Sequence, residues 1–214
     1  MQTLNKKFLA LGSIIAVIAI IVVVVMLPQI SIVSDQEPEK LSFSYVETNK
    51  DLKNALATHN ISMSSPLRLK GEAIEQYCKF FSNESLQNAI EYCTSTELLD
   101  SSGKYLGNIH IVGSAESPRF VMGVIQVSPN LDHLDSTKTV YQTMIETLVC
   151  KCWNEEKPGG FDSVSDWIDA ANSHHLEAKR ITSKSEITGF SHKGLLLEIT
   201  TNTEGYLWKF IVPN

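Results

Sequence analysis

An uninterrupted apolar stretch, Phe8 to Leu27, constrains this chain more than any other feature. It reads FLALGSIIAVIAIIVVVVML, contains no charged residue and is followed by Pro28. A helix of about twenty residues spans about 30 Å, the thickness of the hydrocarbon layer of a bilayer. A helix buried in a soluble core rarely continues for this length without a polar residue. The sequence therefore predicts a transmembrane helix over residues 8–27.

The charges that flank this stretch predict its orientation. Lys6 and Lys7 precede it, whereas residues 28–40, PQISIVSDQEPEK, carry three acidic residues and one lysine. The positive-inside rule places residues 1–7 in the cytoplasm and the chain after Leu27 outside. The competing interpretation is a cleaved signal peptide, which has an apolar core of about 7–15 residues and a small-residue cleavage site. The core here is longer and no A-x-A pattern follows, so we expect a retained single-pass anchor in the cell membrane.

The composition bounds the rest of the chain. The whole chain has 214 residues and a net charge of −6. Because no basic cluster could neutralise phosphates, nucleic acid is not expected as a partner, and anionic lipid is not expected as the main one. Residues 28–40, with two prolines, are predicted to be a linker. An exported domain follows over 41–214, divided into a helical annex at 41–100 and a sheet with helices at 101–214.

The annex begins with two short predicted elements and continues with a helical hairpin. Residues 41–46, LSFSYV, alternate apolar and polar side chains as a strand does, and residues 50–59 suit a short helix. Two apolar stripes with helical spacing then predict the two helices of the hairpin. Their members are Ile74, Tyr77, Cys78 and Phe81, then Leu86, Ala89, Ile90 and Cys93.

From Lys104 onward the periodicity predicts a mainly antiparallel sheet of about five strands. Strands are expected at 104–112 and 119–127, the second near the middle of the sheet because both of its faces are apolar. A helix from Asp135 or Ser136 to Trp153 and another from Asp162 follow. Three strands close the chain at 178–188, 195–200 and 206–212. The fold class is therefore α+β, with a ββ-αα-βββ order covered by helices, which is similar to the element order of PAS-like and profilin-like domains.

Four cysteines, Cys78, Cys93, Cys150 and Cys152, lie in the predicted exported part. An even number outside the cell suggests two disulfides. On a helical hairpin Cys78 and Cys93 would differ in level by roughly 9 Å, and a bridge across one intervening residue would be strained. We therefore expect Cys78 and Cys93 each to bond one cysteine at the end of the long helix. Buried free thiols, a zinc site or a CxC copper(I) site are the alternatives, although the spacing is not CxxC…CxxC.

The other polar clusters suit structural roles. The pair His174-His175 is typical of a polar helix end, where an imidazolium favours the C-terminal dipole. Three aspartates, Asp162, Asp166 and Asp169, are typical of a solvated face near a helix N-terminus. No nucleophile elbow, phosphate-binding loop, dinucleotide-binding pattern or CxxC motif occurs in the sequence. The sequence therefore predicts no catalytic residue, no cofactor and no metal site, and it does not predict an enzyme.

Two functions from different classes fit these features best, and an exported hydrolase or redox enzyme is a third alternative. The first is a membrane-anchored accessory protein that binds another membrane or envelope protein. The second is an ectodomain that holds a small molecule or senses it, acting through a partner. Its candidate cavity wall between the sheet and the following helices consists of Phe120, Met122, Trp167 and Trp208, residue types that are also common in plain core. Two asparagines, Asn60 and Asn83, fit the N-glycosylation acceptor pattern.

Overall fold

The structure, a computed structural model, describes residues 43–79, 84–191 and 193–214, without the side chains of residues 85 and 86. The predicted cytoplasmic segment 1–7, anchor 8–27 and linker 28–40 lie outside the described residues and stay predictions. Within the described ranges, no helix is both long enough and apolar enough to cross a membrane.

Eight strands form one antiparallel sheet. Their bounds are β1 Ser62–Met63, β2 Leu67–Leu69, β3 Tyr92–Leu99, β4 Tyr105–Gly113, β5 Pro118–Val127, β6 Thr182–Phe190, β7 Lys193–Asn202 and β8 Gly205–Pro213. The order across the sheet is β1-β3-β4-β5-β8-β7-β6, and β2 also pairs with β3. The predicted α+β class is confirmed, and the sheet has more strands than the five expected.

The helices lie before and between the strands. Their bounds are α1 Tyr45–Ala57, α2 Glu72–Tyr77, α3 Glu84–Asn88, α4 Leu134–Leu148, α5 Trp153–Glu156 and α6 Val164–Glu177, with a 3₁₀ turn at Pro158–Gly160. The predicted strand at 41–46 is wrong for Tyr45 and Val46, which begin α1. The Ser44 hydroxyl accepts a hydrogen bond from the Glu47 backbone N–H at 3.0 Å, so this cap starts the helix five residues earlier than expected.

The strands predicted from residue 104 onward are confirmed as β4, β5 and the meander β6-β7-β8. Strand β5 pairs with β4 on one side and β8 on the other, so its predicted place near the middle of the sheet is also confirmed. Its consecutive residues Val121, Met122 and Gly123 are all buried. Because successive side chains of a strand point to opposite faces, both faces of the sheet must be covered at this point.

The predicted helical hairpin is wrong. Helix α3 ends at Asn88, and Cys93 lies in strand β3, which pairs with β4 in the register Cys93↔Val112. The segment TSTE that follows Cys93 contains two β-branched threonines, which favour a strand over a helix. The apolar residues with three- and four-residue spacing therefore lie on both sides of the point where a short helix ends, and they do not belong to one continuous helix. Residues 43–100 contribute three strands to the sheet and do not form a purely helical annex.

Two apolar clusters lie on opposite faces of the sheet. The larger includes Leu52 of α1, Met144 of α4 and Ile168 of α6, packed on side chains such as Ile125 of β5. The smaller consists of Cys78, Ile90, Cys93, Val112, Met122 and Ile211. Since α1, α4 and α6 contribute to the larger cluster, they cover one face, and α2, whose Ile74 packs against the smaller cluster, covers part of the other.

The disulfide pairing differs from the predicted one. Bonds join Cys78 to Cys93, with Cα atoms 6.4 Å apart, and Cys150 to Cys152, with Cα atoms 5.3 Å apart. Cys93 can bond Cys78 because it lies on strand β3 beside the end of α2. A position several turns along a second helix, as predicted, would have been too distant. Helix α4 ends at Leu148, so the backbone at 150–152 is not helical. The side chains of Cys150 and Cys152 therefore do not point in nearly opposite directions, as they would on a helix. Two disulfides are typical of domains outside the cytoplasm.

Candidate functional site

An open groove lies where strands β1 and β2 meet the middle of β3, and we call it the edge groove. It has a volume of about 360 Å³. Its lining residues are Ser64, Ser65, Leu67, Leu69, Tyr77, Ser95, Glu97, Asn108 and His110. The groove is on the face of the sheet that carries the smaller apolar cluster, since Leu69 packs against that cluster.

The local sequence explains why a groove forms at this edge. Strand β1 pairs with Leu98 and Leu99, and β2 pairs with Cys93 to Ser95, so the edge is interrupted between them. Ser64 crosses the gap: its N–H donates to the Glu97 carbonyl and its hydroxyl accepts from the Glu97 N–H, each at 3.0 Å. Pro66 follows and has no N–H to donate. The segment 64–66 is thus fixed to β3 without continuing the strand.

The floor of the edge groove is polar. The register Ser95↔His110 and Glu97↔Asn108 places these four side chains on one face of β3 and β4. The Asn108 Nδ2 donates to the Tyr105 hydroxyl at 2.9 Å, whereas its buried Oδ1 has no hydrogen-bond partner within the described residues. Burial lowers the pKa of His110 to about 4, so the imidazole is neutral near pH 7.

The rim of the edge groove is apolar and exposed. Leu67 is 66% exposed and Tyr77 is 46% exposed, and both line the groove. Tyr105, 52% exposed, lies beside it, because its hydroxyl bonds the Asn108 side chain. These are three of the six large apolar side chains found exposed in the described ranges. The edge groove thus combines exposed apolar groups at its rim with a polar floor.

The structure does not bring the four predicted cavity-wall residues together. Phe120 and Met122 face the smaller cluster, whereas Trp167 and Trp208 belong to the larger one on the opposite face. The space between the sheet and helices α4 and α6 contains packed rings: the Trp167 and Phe210 ring centroids are 6.0 Å apart. The Tyr141 and Phe210 centroids are 5.0 Å apart. The sequence could not separate the two faces, because β5 is apolar on both.

The histidine pair differs from the predicted polar helix end at one of its two positions. His174 is exposed, but His175 is buried, and its ring nitrogens lie 2.8 Å from the Ser183 and Thr201 hydroxyls. Burial lowers the pKa of His175, and the charge of His174 lowers it further by a smaller amount. This side chain joins α6 to β6 and β7, which is a structural role.

The three aspartates contact neighbouring side chains. Asp162 pairs with Lys157, and Asp169 pairs with Lys138, each at 2.6 Å. Asp166 accepts the Ser163 hydroxyl at 2.8 Å, and its N–H donates back to that oxygen, which caps α6. These contacts agree with the predicted structural role near a helix N-terminus.

The two predicted glycosylation positions differ in what the structure describes. Asn60 is exposed in the turn after α1 and has a left-handed backbone with φ 58°. Asn83 lies outside the described residues.

Two groups of side chains have the composition of a metal site. Cys78, Cys93 and His110 form one, and Cys150, Cys152 and Glu156 form the other, with candidate ligand atoms within 4.8 Å of one another. In both groups the two sulfurs are bonded to each other, so neither group offers thiolates in this state.

The edge groove was missed by the sequence analysis because it depends on β3, which was predicted to be part of a helix. The threonine-rich TSTE segment and the apolar pair Leu67 and Leu69 were the signals that could have indicated it. Comparison with protein-family models, with curated proteins and with solved structures gives no match to this chain.

Proposed function

We propose that this protein is a membrane-anchored, extracytoplasmic accessory protein that binds a membrane or envelope protein through the edge groove. The observation that carries the proposal is the exposure of Leu67, Tyr77 and Tyr105 around one groove. The apolar stretch at residues 8–27 supports the membrane location, and the two disulfides support an extracytoplasmic domain.

The chemistry of the edge groove indicates what the partner must offer. Apolar side chains of the partner would cover the rim and remove it from water, which is the favourable term in most protein association. Asn108 Oδ1 accepts no hydrogen bond within the described residues, so a donor from the partner would satisfy it. Glu97 is exposed at the groove, and the chain has a net charge of −6. The complementary surface therefore offers apolar side chains to the rim and a neutral or basic hydrogen-bond donor to the floor.

Photo-crosslinking in the native membrane tests the proposal. A photoreactive residue at Leu67 or Tyr77 should give one defined cross-linked product after irradiation of cells that express the full-length chain. The same residue at Ile181 is the matched control, since Ile181 is 78% exposed and lies just before β6 at the opposite edge of the sheet. Products of the same size from both edges, or none from the groove, would contradict the proposal.

The native mass gives a second test. Full-length protein extracted in mild detergent should migrate as a defined complex larger than one 23.8 kDa chain with its detergent. Leu67→Arg places a charge in the apolar rim and should release the chain from the complex, whereas Ile181→Arg should leave the complex intact. Migration of the wild-type chain alone would overturn the proposal.

A second candidate function is a small-molecule-binding or sensory ectodomain with a PAS-like or profilin-like element order, acting through a partner. It is favoured by the groove volume of about 360 Å³, which falls in the range of about 300–1,000 Å³ usual for ligand sites. A ligand that binds the folded state would raise the unfolding temperature of the purified single chain. That increase, together with the absence of a larger complex, would favour this candidate over the first.

A further inference from the structure

The Cys150–Cys152 disulfide lies in a different environment from Cys78–Cys93. Cys78 and Cys93 are completely buried within the smaller apolar cluster. Cys150 and Cys152 follow α4, are half-buried, and sit beside polar groups. Both also pack at the margin of the larger apolar cluster. The Cys150–Cys152 disulfide is therefore less shielded from solvent than the Cys78–Cys93 disulfide.

The short spacing of Cys150 and Cys152 gives this bond a smaller stabilising effect than the Cys78–Cys93 bond has. A disulfide stabilises a fold mainly by restricting the unfolded chain, and the effect grows with the length of the closed loop. The two residues are separated by 2 positions, compared with 15 for Cys78 and Cys93. Stability therefore explains the Cys150–Cys152 bond less well than it explains the Cys78–Cys93 bond, which closes the longer loop.

The surroundings of the two sulfurs are unequal. The Cys152 N–H donates to Cys150 Sγ at 3.3 Å. The Ser191 Oγ lies 3.3 Å from Cys150 Sγ, 3.4 Å from Cys152 Sγ and 3.3 Å from Glu156 Oε1. The Cys152 N–H favours a thiolate at Cys150, and the single Ser191 hydrogen can turn from Glu156 to that thiolate when it forms. Cys152 Sγ instead lies 3.0 Å from the Glu156 carboxylate, whose negative charge disfavours a thiolate and accepts a hydrogen bond from a thiol.

We propose that Cys150–Cys152 is a thiol–disulfide exchange site that accepts electrons from a protein dithiol outside the cytoplasm. A thiolate of the dithiol attacks Cys152 Sγ, and the Cys150–Cys152 bond breaks. The electron pair moves to Cys150 Sγ, where the Cys152 N–H and the Ser191 hydroxyl stabilise the leaving thiolate.

The second thiol of the partner completes the exchange. After losing its proton it attacks the partner sulfur in the mixed disulfide and displaces Cys152. Cys152 takes up a proton from solvent and donates it in a hydrogen bond to Glu156, and Cys150 is protonated according to its pKa. Two electrons and two protons have then passed from the dithiol to the chain: the partner leaves as a disulfide, and Cys150 and Cys152 become thiols. This inference does not rest on the edge groove.

Differential reduction of the full-length protein in mild detergent tests the site. Dithiothreitol is the probe dithiol, and alkylation of new thiols followed by mass spectrometry of peptides identifies the reduced pair. Cys150 and Cys152 should be alkylated at least tenfold faster than Cys78 and Cys93. Equal rates, or peptides that show another pairing, would overturn the proposal.

Trapping variants test the assigned roles of the two sulfurs. Cys150→Ser keeps the attacked Cys152 and should accumulate a mixed disulfide with a small disulfide such as oxidised glutathione. Ser191→Ala should move the midpoint of the pH dependence of Cys150 alkylation in the reduced protein to higher pH, because a thiolate donor is lost. A structural role alone would not move this midpoint. An unchanged midpoint would remove Ser191 from the mechanism, and failure of Cys150→Ser to trap would overturn the exchange itself.

Discussion

His110 is a buried histidine whose protonation is linked to folding. Burial lowers its pKa in the folded protein to about 4, against about 6.5 in an unfolded chain. Between these values the unfolded chain binds a proton that the folded protein does not. The free energy of unfolding should therefore fall as the pH decreases from about 6.5 to about 4, by up to about 1.4 kcal/mol per pH unit from this residue.

Urea unfolding at a series of pH values checks this linkage. In His110→Gln, the decrease of stability with falling pH in this window should be smaller than in the wild type. His175 has a pKa shifted in the same direction and is retained in both proteins, so the difference between them reports His110. The expectation fails if the two pH profiles have the same slope.

Gly123 of β5 lies where the sheet packs closely against helix α4. A Cβ atom at this position would lie 2.9 Å from Met144 Sδ and 3.0 Å from Tyr141 Cε1. Both side chains are completely buried and have little room to move. Gly123→Ala should lower the free energy of unfolding by about 1–3 kcal/mol, the usual range for overpacking, as measured by chemical denaturation.

Gly194→Ala is the matched control for this prediction. It is also a strand glycine, and its nearest neighbour to an added Cβ would be the Ile187 carbonyl oxygen at an ordinary 3.8 Å. The substitution should leave stability unchanged or raise it slightly, because alanine restricts the unfolded chain more than glycine does. Equal losses at the two glycines would show that the contact with α4 is not the cause.

At the scale of elements, the two disulfides should differ in their contribution to stability. The Cys78–Cys93 bond holds the end of α2 to β3 and closes a separation of 15 residues. Removing it as Cys78→Ser/Cys93→Ser should cost about 3 kcal/mol by the chain-entropy model, and more where the buried serines lack partners. Removing the other bond as Cys150→Ser/Cys152→Ser should cost roughly 1.5 kcal/mol.

Denaturation of the two double variants under identical oxidising conditions measures this difference. A larger loss for the Cys150/Cys152 variant would mean that this bond holds the segment between α4 and α6 in place. That result would also weaken the argument that the bond is present for its reactivity.

Apolar periodicity correctly predicted the long elements, along which the pattern of buried faces stays the same from end to end. Helix α4 carries a wide apolar stripe, and β4, β5 and the closing meander alternate or are buried on both faces. Strand β3 was missed because Ile90 and Cys93 follow helical spacing across the end of a short helix. Short apolar segments fit both periods, and only pairing with β4 decides between them.

At the scale of the whole molecule, the two ends of the described domain lie together. The Phe43 N–H donates to Asn214 Oδ1 at 3.0 Å, and Asn214 Nδ2 donates to the Pro118 carbonyl at 3.0 Å. The Asn214 N–H donates to the Arg119 carbonyl at 2.9 Å. Phe43 is therefore held, through Asn214, beside the first residues of β5.

The sequence by itself determined those properties that depend on local pattern and composition. These are the α+β class, the position of β5 near the middle of the sheet, and the presence of enough cysteines for two disulfides. The membrane anchor at residues 8–27 stays a prediction. Apolar periodicity reports which side of an element is buried, because burial is roughly proportional to the apolar area removed from water. It does not report which distant element covers that side.

Tertiary structure alone decided the properties that depend on pairs of residues far apart in the chain. The cysteines pair differently from the prediction because Cys93 lies in a strand and α4 ends at Leu148. The predicted cavity wall separated onto two faces because successive β5 residues point in opposite directions. The edge groove exists because β1 and β2 pair with different parts of β3, and strand register is a long-range property that no local pattern contains.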